Sequence, residues 1–275
     1  MKIFITGTSG FIGRSLKEHF EPTHEVIEYV RGTDIFIMLE VSKPDLIINC
    51  AGEIYDANKM YRTNIDLVEA ILEWLKRNPK TRLIQLGSSA EYGPMPRASA
   101  ETDPINPMDV YQATKGAATL MCQGYARQFG LQTLVARIYS GFGQYERPHR
   151  LFQKLYRAFY HKEAMILHDG YHDFIYIEDF VRGIELVLNR AWPVGEIVNF
   201  GSGVQHSNLA VLDAWKHVSG INTAPVTYID EFSKPFESKV WVCDTNYAKQ
   251  QYGFKTEYSI EMGIKDMIGK LRNAE

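Results

Sequence analysis

The chain has 275 residues, 45% of them hydrophobic, enough apolar material for one large core or two smaller ones. Lys and Arg number 30 against 33 Asp and Glu, for a formal charge of −3, and the basic residues are scattered, so neither a nucleic-acid surface nor a membrane surface is expected. Cys50, Cys122 and Cys243 lie far apart, form neither a metal spacing nor a disulfide framework, and read as buried or incidental thiols in a reducing compartment.

The first element carries the most information. The apolar run 3–6 stops at Gly7, and Gly7, Gly10 and Gly13 follow at equal spacing before a helical stretch over 11–20. That is a strand, a tight turn and a helix N-terminus. Such a turn lacks side chains where a dinucleotide pyrophosphate approaches the backbone, and the helix end offers free N–H groups and a partial positive charge. The G-x-x-G-x-x-G spacing also suits a purely structural turn, so its meaning depends on the rest of the chain. A strand that begins at residue 2 leaves no room for a leader, and no uncharged apolar run approaches the roughly 20 residues of a membrane span. A cytoplasmic protein is expected.

Further strands are expected at 26–30, 46–49, 82–86 and 133–137, with helices at 34–41, 63–77 and 111–129. Ile65, Val68, Ile71, Leu72 and Leu75 recur at helical spacing and give the helix 63–77 a core-facing stripe. Alternating strands and helices imply right-handed crossovers and a parallel sheet covered on both sides. After Arg137 the loops lengthen and aromatics cluster. Helices return at 151–161, 179–191 and 208–219, with Asp179 and Ser207 as N-caps, and a strand at 197–200 ends in Gly201-Ser202-Gly203. Short helices near 244 and over 260–271 close the chain. The expected class is α/β: a Rossmann-type doubly wound parallel sheet with a small C-terminal substrate lobe. Residues 1–140 form the dinucleotide-binding part, and 141–275 form a lobe interleaved with the last strands.

Tyr111 and Lys115 lie four residues apart on that helix and so share a face. A free tyrosine titrates near 10, too high for a base at neutral pH. A neighbouring ammonium, and a bound oxidised nicotinamide, favour the phenolate and fit the phenol to exchange a proton with a hydroxyl or carbonyl. Tyrosine and lysine at this spacing are also common on helix surfaces. Context comes from Leu86-Gly87-Ser88-Ser89-Ala90-Glu91-Tyr92-Gly93, which follows the fourth strand at the edge where ligands bind in open α/β sheets.

Together, Gly7/Gly10/Gly13, Ser88 ahead of Tyr92-Gly93, and Tyr111/Lys115 resemble the extended short-chain dehydrogenase/reductases, the NAD-dependent epimerase/dehydratase family acting on nucleotide sugars. Arg137-Ile138-Tyr139-Ser140-Gly141-Phe142-Gly143 is similar to that family's "RxxNVYGP", and Asp173-Phe174-Ile175-Tyr176-Ile177-Glu178-Asp179 to its "RDFIYVDD". The stretch 244–254 is similar to its usual ending. The resemblance implies Tyr111 as general acid/base, Lys115 as the residue that lowers its pKa and holds the nicotinamide ribose, and Ser88 as the hydroxyl that polarises the reacting oxygen. It places Gly7, Ser9, Gly10, Phe11, Ile12 and Gly13 on the cofactor, together with Cys50, Ala51, Gly52, Asn64, Leu86 and Tyr139. Asn64 equally suits a helix cap. Ser88, Ser89, Tyr111, Ser140, Arg147, His172 and Lys239 fall on the substrate side. Metal is not expected.

The chain departs from the family at several points. Where NAD-dependent members carry an acid at the end of the second strand, it has Val30 followed by Arg31. An arginine there pairs with a 2′-phosphate, so NADP(H) is favoured, with NAD(H) possible. The alternative makes Arg31 a loop residue and gives the ribose to Glu28 or Asp34. The dehydratases' Asp-Glu is replaced by Ser89-Ala90, which disfavours water elimination. Ser140 replaces an asparagine and His172 an arginine, and Lys234, Lys239, Arg147 and Arg150 are further candidates for a diphosphate. The direct passage from strand two into a helix at Asp34 resembles the family's 4-ketoreductases. The first expectation is therefore NADPH-dependent reduction of a nucleotide-linked 4-keto-6-deoxyhexose. A 4-epimerase with tightly held NAD, and a non-catalytic NAD(P)-sensing regulator, are the alternatives. Relatives often pair the helices matching 63–77 and 111–129, which implies a homodimer; Ala117, Ala118, Met121 and Tyr125 suit that contact or the sheet.

Overall fold

The computed structural model describes residues 1–233 and 238–275. The first half alternates regularly: β1 (Lys2–Thr6), α1 (Phe11–Phe20), β2 (Glu25–Glu28), α2 (Ile35–Ser42), β3 (Leu46–Asn49), α3 (Ala57–Tyr61), α4 (Leu67–Arg77), β4 (Arg82–Ser88), α5 (Val110–Phe129) and β5 (Thr133–Ile138). The second half contributes β6 (Ser140–Phe142), α6 (Leu151–Tyr156), β7 (Met165–Asp169), β8 (Tyr171–Tyr176), α7 (Ile177–Leu188) and β9 (Glu196–Phe200). It ends with β10 (Gln205–Ser207), α8 (Asn208–Ser219), β11 (Val226–Phe232), α9 (Asn246–Tyr252) and α10 (Ile260–Ala274).

Six strands form the central sheet in the order β2-β1-β3-β4-β5-β9, every neighbour parallel. This is the expected doubly wound Rossmann-type sheet. Parallel strands need crossovers, and both faces are consequently covered and apolar. The period of two divides the strand residues. Ile3, Ile5, Ile48, Ile84 and Ala136 face the cluster that holds Leu16 of α1 and Phe180 and Ile184 of α7. Phe4, Ile47, Leu83 and Val135 face the opposite cluster, with Val68, Ile71, Leu72 and Leu75 of α4 and Ala118 and Cys122 of α5. The strand order reverses between β1 and β3, and the crevice beyond their carboxyl ends is where such sheets bind ligands.

The lobe packs on that carboxyl edge. It contains the three-stranded sheet β10-β8-β6 and the parallel pair β11-β7. Asp173 of β8 fastens it: its fully buried carboxylate accepts N–H bonds from Ser202 (2.7 Å), Gly203 (2.9 Å) and Cys243 (3.0 Å). The aspartate of that motif is thus a structural clamp.

Several expected boundaries shift. β2 ends at Glu28, not residue 30, because its last ladder bond runs from Tyr29 N to Ile5 O, and β1 then turns away at Gly7. The helix expected over 63–77 is longer and interrupted. α3 and α4 are joined by a wide π-turn over Arg62–Asp66, a feature often found near functional sites. α7 starts at Ile177, so Asp179 is inside the first turn rather than its cap, and it accepts N–H bonds from Glu257 (2.8 Å) and Tyr258 (3.0 Å). Ser207 caps α8 as expected, accepting from Ala210 N at 3.1 Å. No helix among the described residues is long and apolar enough to cross a membrane.

Candidate active site

The glycine loop is built by close backbone approach. Gly7 has φ +70°, which an L side chain adopts at a cost, and Gly10 N donates to its carbonyl at 2.9 Å. A Cβ on Gly13 would stand 2.3 Å from Gly7 O, and one on Gly7 would stand 2.8 Å from Ala51 N. Glycine is therefore required for α1 to reach the loop and for the loop to reach the end of β3. Gly10 caps α1 without any side-chain bond, so no side chain occupies the first-turn N–H groups.

Beyond this loop lies a cavity of about 390 Å³. One wall holds Gly7, Gly10, Phe11, Ile12, Gly13, Cys50 and Gly52; the floor holds Ser88, Ser89 and Tyr111; the lobe supplies Tyr139, Ser140, Arg147, Arg150 and His172. The size suits a bound small molecule. Three remote segments named in the sequence thus converge on one space.

The floor has defined geometry. Ser88 ends β4 and caps the short 3-10 turn Ser89–Tyr92, its Oγ accepting from Ala90 N at 3.2 Å while Glu91 Oε1 accepts from Ser88 N at 2.8 Å. With Oγ already serving as an acceptor inside the protein, its proton is available to the cavity. Tyr111 stands in the first turn of α5, which Asp109 caps through Gln112 N at 2.8 Å. The Ser88 hydroxyl faces the Tyr111 phenol across the cavity floor. Lys115 is buried, and its Nζ donates to the carbonyl of Leu86.

The electrostatics differ from the sequence expectation. The Tyr111 pKa is raised, chiefly by burial, with the Ser88 hydroxyl and the Arg150 charge working against the rise. Burial also lowers the pKa of Lys115, which the Glu91 carboxylate opposes. Lys115 directs its charge at the Leu86 carbonyl and so is not what sets the phenol here. Cys50 is pushed up to about 12 by burial and is no thiolate.

Other named residues lie outside the wall. Asn64 is buried behind it, bonding Glu53 N (2.9 Å), Glu53 O (3.0 Å) and Thr114 Oγ1 (2.9 Å), and it tethers the loop after β3 to α5 instead of capping a helix. Ala51 N bonds Thr6 Oγ1 at 3.0 Å, and Ser9 is exposed at the loop tip. Val30 and Arg31 sit in the exposed turn after β2, so Val30 does not end that strand. Asp34 is committed to capping α2, accepting from Phe36 N at 2.8 Å. The acid that ends β2 is Glu28, which accepts from Lys17 Nζ at 2.5 Å and whose pKa Lys17, and Thr8 of the glycine loop, lower. The Tyr139 hydroxyl points away toward Ser99 O at 3.4 Å. Lys239 contributes its carbonyl to Gln205 Nε2 at 2.7 Å and is not in the wall; Ser238 and Trp241 are. Lys234 lies outside the described residues.

Sequence reasoning missed two groups. Tyr55 and His149, from loops 94 residues apart, meet at 2.5 Å at the mouth of the cavity, with Arg147 over the Tyr55 ring at 5.2 Å. Burial and the charges of Arg147, Arg150 and Lys154 lower the His149 pKa, so this mouth is cationic. The run Arg147–Arg150 is basic in sequence, but which loop it faces is set by the fold. Glu146 also lines the cavity; burial pushes it up to about 7 even though Arg150 Nε donates to its Oε1 at 3.3 Å, and Oε2 is buried with no partner. No group of metal ligands is present among the described residues.

Comparison with known proteins agrees with the fold. Residues 3–201 match the model of the NAD dependent epimerase/dehydratase family. The chain is 25% identical to the "uncharacterized UDP-glucose epimerase YtcB" of Bacillus subtilis, across 98% of each chain. Its fold superposes on a dTDP-glucose 4,6-dehydratase from Bacillus anthracis in complex with NAD (TM-score 0.89, 19% identity, 99% and 97% coverage). It also superposes on a UDP-glucuronic acid 4-epimerase from Bacillus cereus in complex with UDP-glucuronic acid and NAD (TM-score 0.89, 21% identity, all of both chains).

Proposed function

The chain belongs to the NAD dependent epimerase/dehydratase family, and from that premise we propose that it is an NAD(P)-dependent nucleotide-sugar oxidoreductase, acting as an NADPH-dependent reductase of a nucleotide-linked 4-keto-6-deoxyhexose. The observation that carries this reading is the meeting of Ser88 and Tyr111 on the cavity floor, directly beyond the uncapped N-terminus of α1.

The residues present fit a dinucleotide. The glycine contacts leave bare backbone where a pyrophosphate would lie, and the α1 N–H groups complement its charge. When bound, the nicotinamide supplies the hydride. Tyr111 delivers the proton to the oxygen that becomes a hydroxyl, and the Ser88 O–H holds that oxygen beside it. The raised pKa keeps Tyr111 protonated at neutral pH, the form a proton donor to a ketone needs. Lys115 supports the floor from below through Leu86 O. Arg147, Arg150 and His172 receive the diphosphate side of the sugar nucleotide. Residues 1–140 then serve the cofactor and 141–275 the sugar.

Ser89-Ala90 beside Ser88 brings no carboxylate for water elimination, and β2 runs through one short turn into α2. Both features favour reduction. Arg31 in the exposed turn after β2 favours a 2′-phosphate. The second reading, a 4-epimerase with retained NAD, draws on the printed descriptions of the relatives. We also propose a homodimer through α4 and α5, where Leu120 (56% exposed) and Phe129 (39%) stand outward while Ala118 packs on the sheet.

The test is cofactor stoichiometry with dTDP-, UDP-, GDP- and CDP-linked 4-keto-6-deoxyhexoses. One NADPH consumed per sugar reduced supports the reductase. Interconversion of 4-epimers without net cofactor change establishes the second reading.

A further inference from the structure

One carboxylate outside the catalytic set joins all of its supporting elements. Glu91 is fully buried. Its Oε1 accepts from Ser88 N at 2.8 Å; its Oε2 accepts from Thr119 Oγ1 at 2.8 Å and from Arg137 Nε at 2.8 Å. Thr119 lies one turn beyond Lys115 and two beyond Tyr111, on the same face of α5. Arg137 lies on β5 and is held in turn by Tyr92 Oη at 2.7 Å, which bonds Asn199 Oδ1 at 2.8 Å. Gly87 leaves room for this: a Cβ there would stand 2.9 Å from Arg137 Cγ and 3.0 Å from Glu91 Oε1.

We propose that Glu91 is a positioning residue of the site, bolting the Ser88 end of β4 to the helix that carries Tyr111 and Lys115 through simultaneous bonds to Ser88, Thr119 and Arg137. This rests on the acid–base reading of Tyr111 given above. A buried ion pair is not needed merely to close a turn, since well-packed apolar residues do that as well or better. Here the pair fixes the backbone of the residue whose hydroxyl faces the reacting oxygen, and it adds a second tie between β4 and α5 to the one that Lys115 makes to Leu86 O.

The charge acts on the same two groups. Tyr111 is faced by Ser88, Glu91, Arg150 and Asp109, and Lys115 by Glu91, Cys50 and Cys122. A negative charge favours the protonated form of both, so neutralising Glu91 lets phenol and ammonium release protons at lower pH.

The experiment is tyrosine NMR on protein labelled at the ring carbon that bears the hydroxyl, with the Tyr111 resonance identified by its loss in Tyr111→Phe. Glu91→Gln should lower the Tyr111 titration midpoint by about half a unit, a threefold change in ionisation constant. NADPH-dependent turnover of the dTDP- or GDP-linked 4-keto-6-deoxyhexose should fall about 10- to 100-fold with KM little changed. Thr119→Val keeps the charge and should lower turnover less, with the midpoint unmoved. If Glu91→Gln fails to fold because Arg137 is left without its partner, Glu91→Gln/Arg137→Met removes both charges together; these act on Tyr111 in opposite directions, so this variant is read by turnover, expected to fall about 10-fold as the ties to Ser88 N and Thr119 weaken. Folded Glu91→Gln with an unmoved Tyr111 midpoint, or the folded double variant with undiminished turnover, overturns the inference. Tyr111→Phe with undiminished turnover overturns the acid–base reading beneath it.

Discussion

The two walls of the cavity are made of different material. The wall under β1 and β3 is backbone: Gly7, Gly10, Gly13 and Gly52 present peptide groups, and at Gly7 and Gly13 close approach is possible only because side chains are missing. The lobe wall is side chain: Arg147, Arg150, Glu146, His172 and Trp241 present charges and rings from separate segments. A backbone wall recognises what every member of a cofactor class shares. A side-chain wall recognises one substrate and can be rewritten by a few substitutions.

That contrast can be broken at its stiffest point first. Gly13→Ala places a methyl 2.3 Å from Gly7 O, where only backbone can yield. We expect dinucleotide affinity to fall more than about 100-fold and stability by about 1–3 kcal/mol, read by cofactor titration and thermal melting. Unchanged binding would mean the loop is not the cofactor wall. Arg150→Ala works on the other wall. It should raise KM for the sugar nucleotide about tenfold and leave the cofactor Kd within a factor of two, by steady-state kinetics and titration.

Glu146 gives the lobe wall a pH signature. Its folded pKa, about 7, is above its unfolded value, so the folded state binds the extra proton. The stability tied to that proton is intact below about pH 4.5 and is lost as pH rises toward 7. Glu101 is raised to a similar value, so the difference between variant and wild type is the useful quantity. Glu146→Gln should gain on wild type by about 1–3 kcal/mol between pH 5 and 7.5 in denaturant melts. A constant difference across that range would show that Glu146 does not titrate there. The effect confined to one form of the cofactor is expected in the exposed turn after β2. Arg31→Ala should weaken NADPH about tenfold and NADH hardly at all. Equal loss for both, or none, removes the 2′-phosphate role and leaves Glu28 as the acid that ends β2.

The same contrast explains what the sequence disclosed. Gly7 to Gly13 is a local strand–turn–helix, and Tyr111 and Lys115 share a helix face by spacing alone, so their placement needed no tertiary knowledge. The alternation of strands and helices likewise gave the parallel sheet. Glu146, the Tyr55–His149 contact and Trp241 depend on how the lobe folds back, which periodicity does not encode. Resemblance assigns Asn64 to the cofactor and charge alone makes Lys239 a phosphate candidate, but their neighbours set other roles: Asn64 is spent on Glu53 and Thr114, and Lys239 offers its backbone. Tyr111 shows the same limit at the level of charge. Spacing puts Lys115 nearby, but burial sets the sign of the shift.

The most direct measurement is Tyr111→Phe, with turnover and NADPH affinity determined on the same preparation. We expect turnover to fall by about 100-fold or more, the range of a lost general acid, with cofactor Kd unchanged. Turnover near the wild-type rate, or a matching loss of cofactor binding, would contradict Tyr111 as the group that moves the proton.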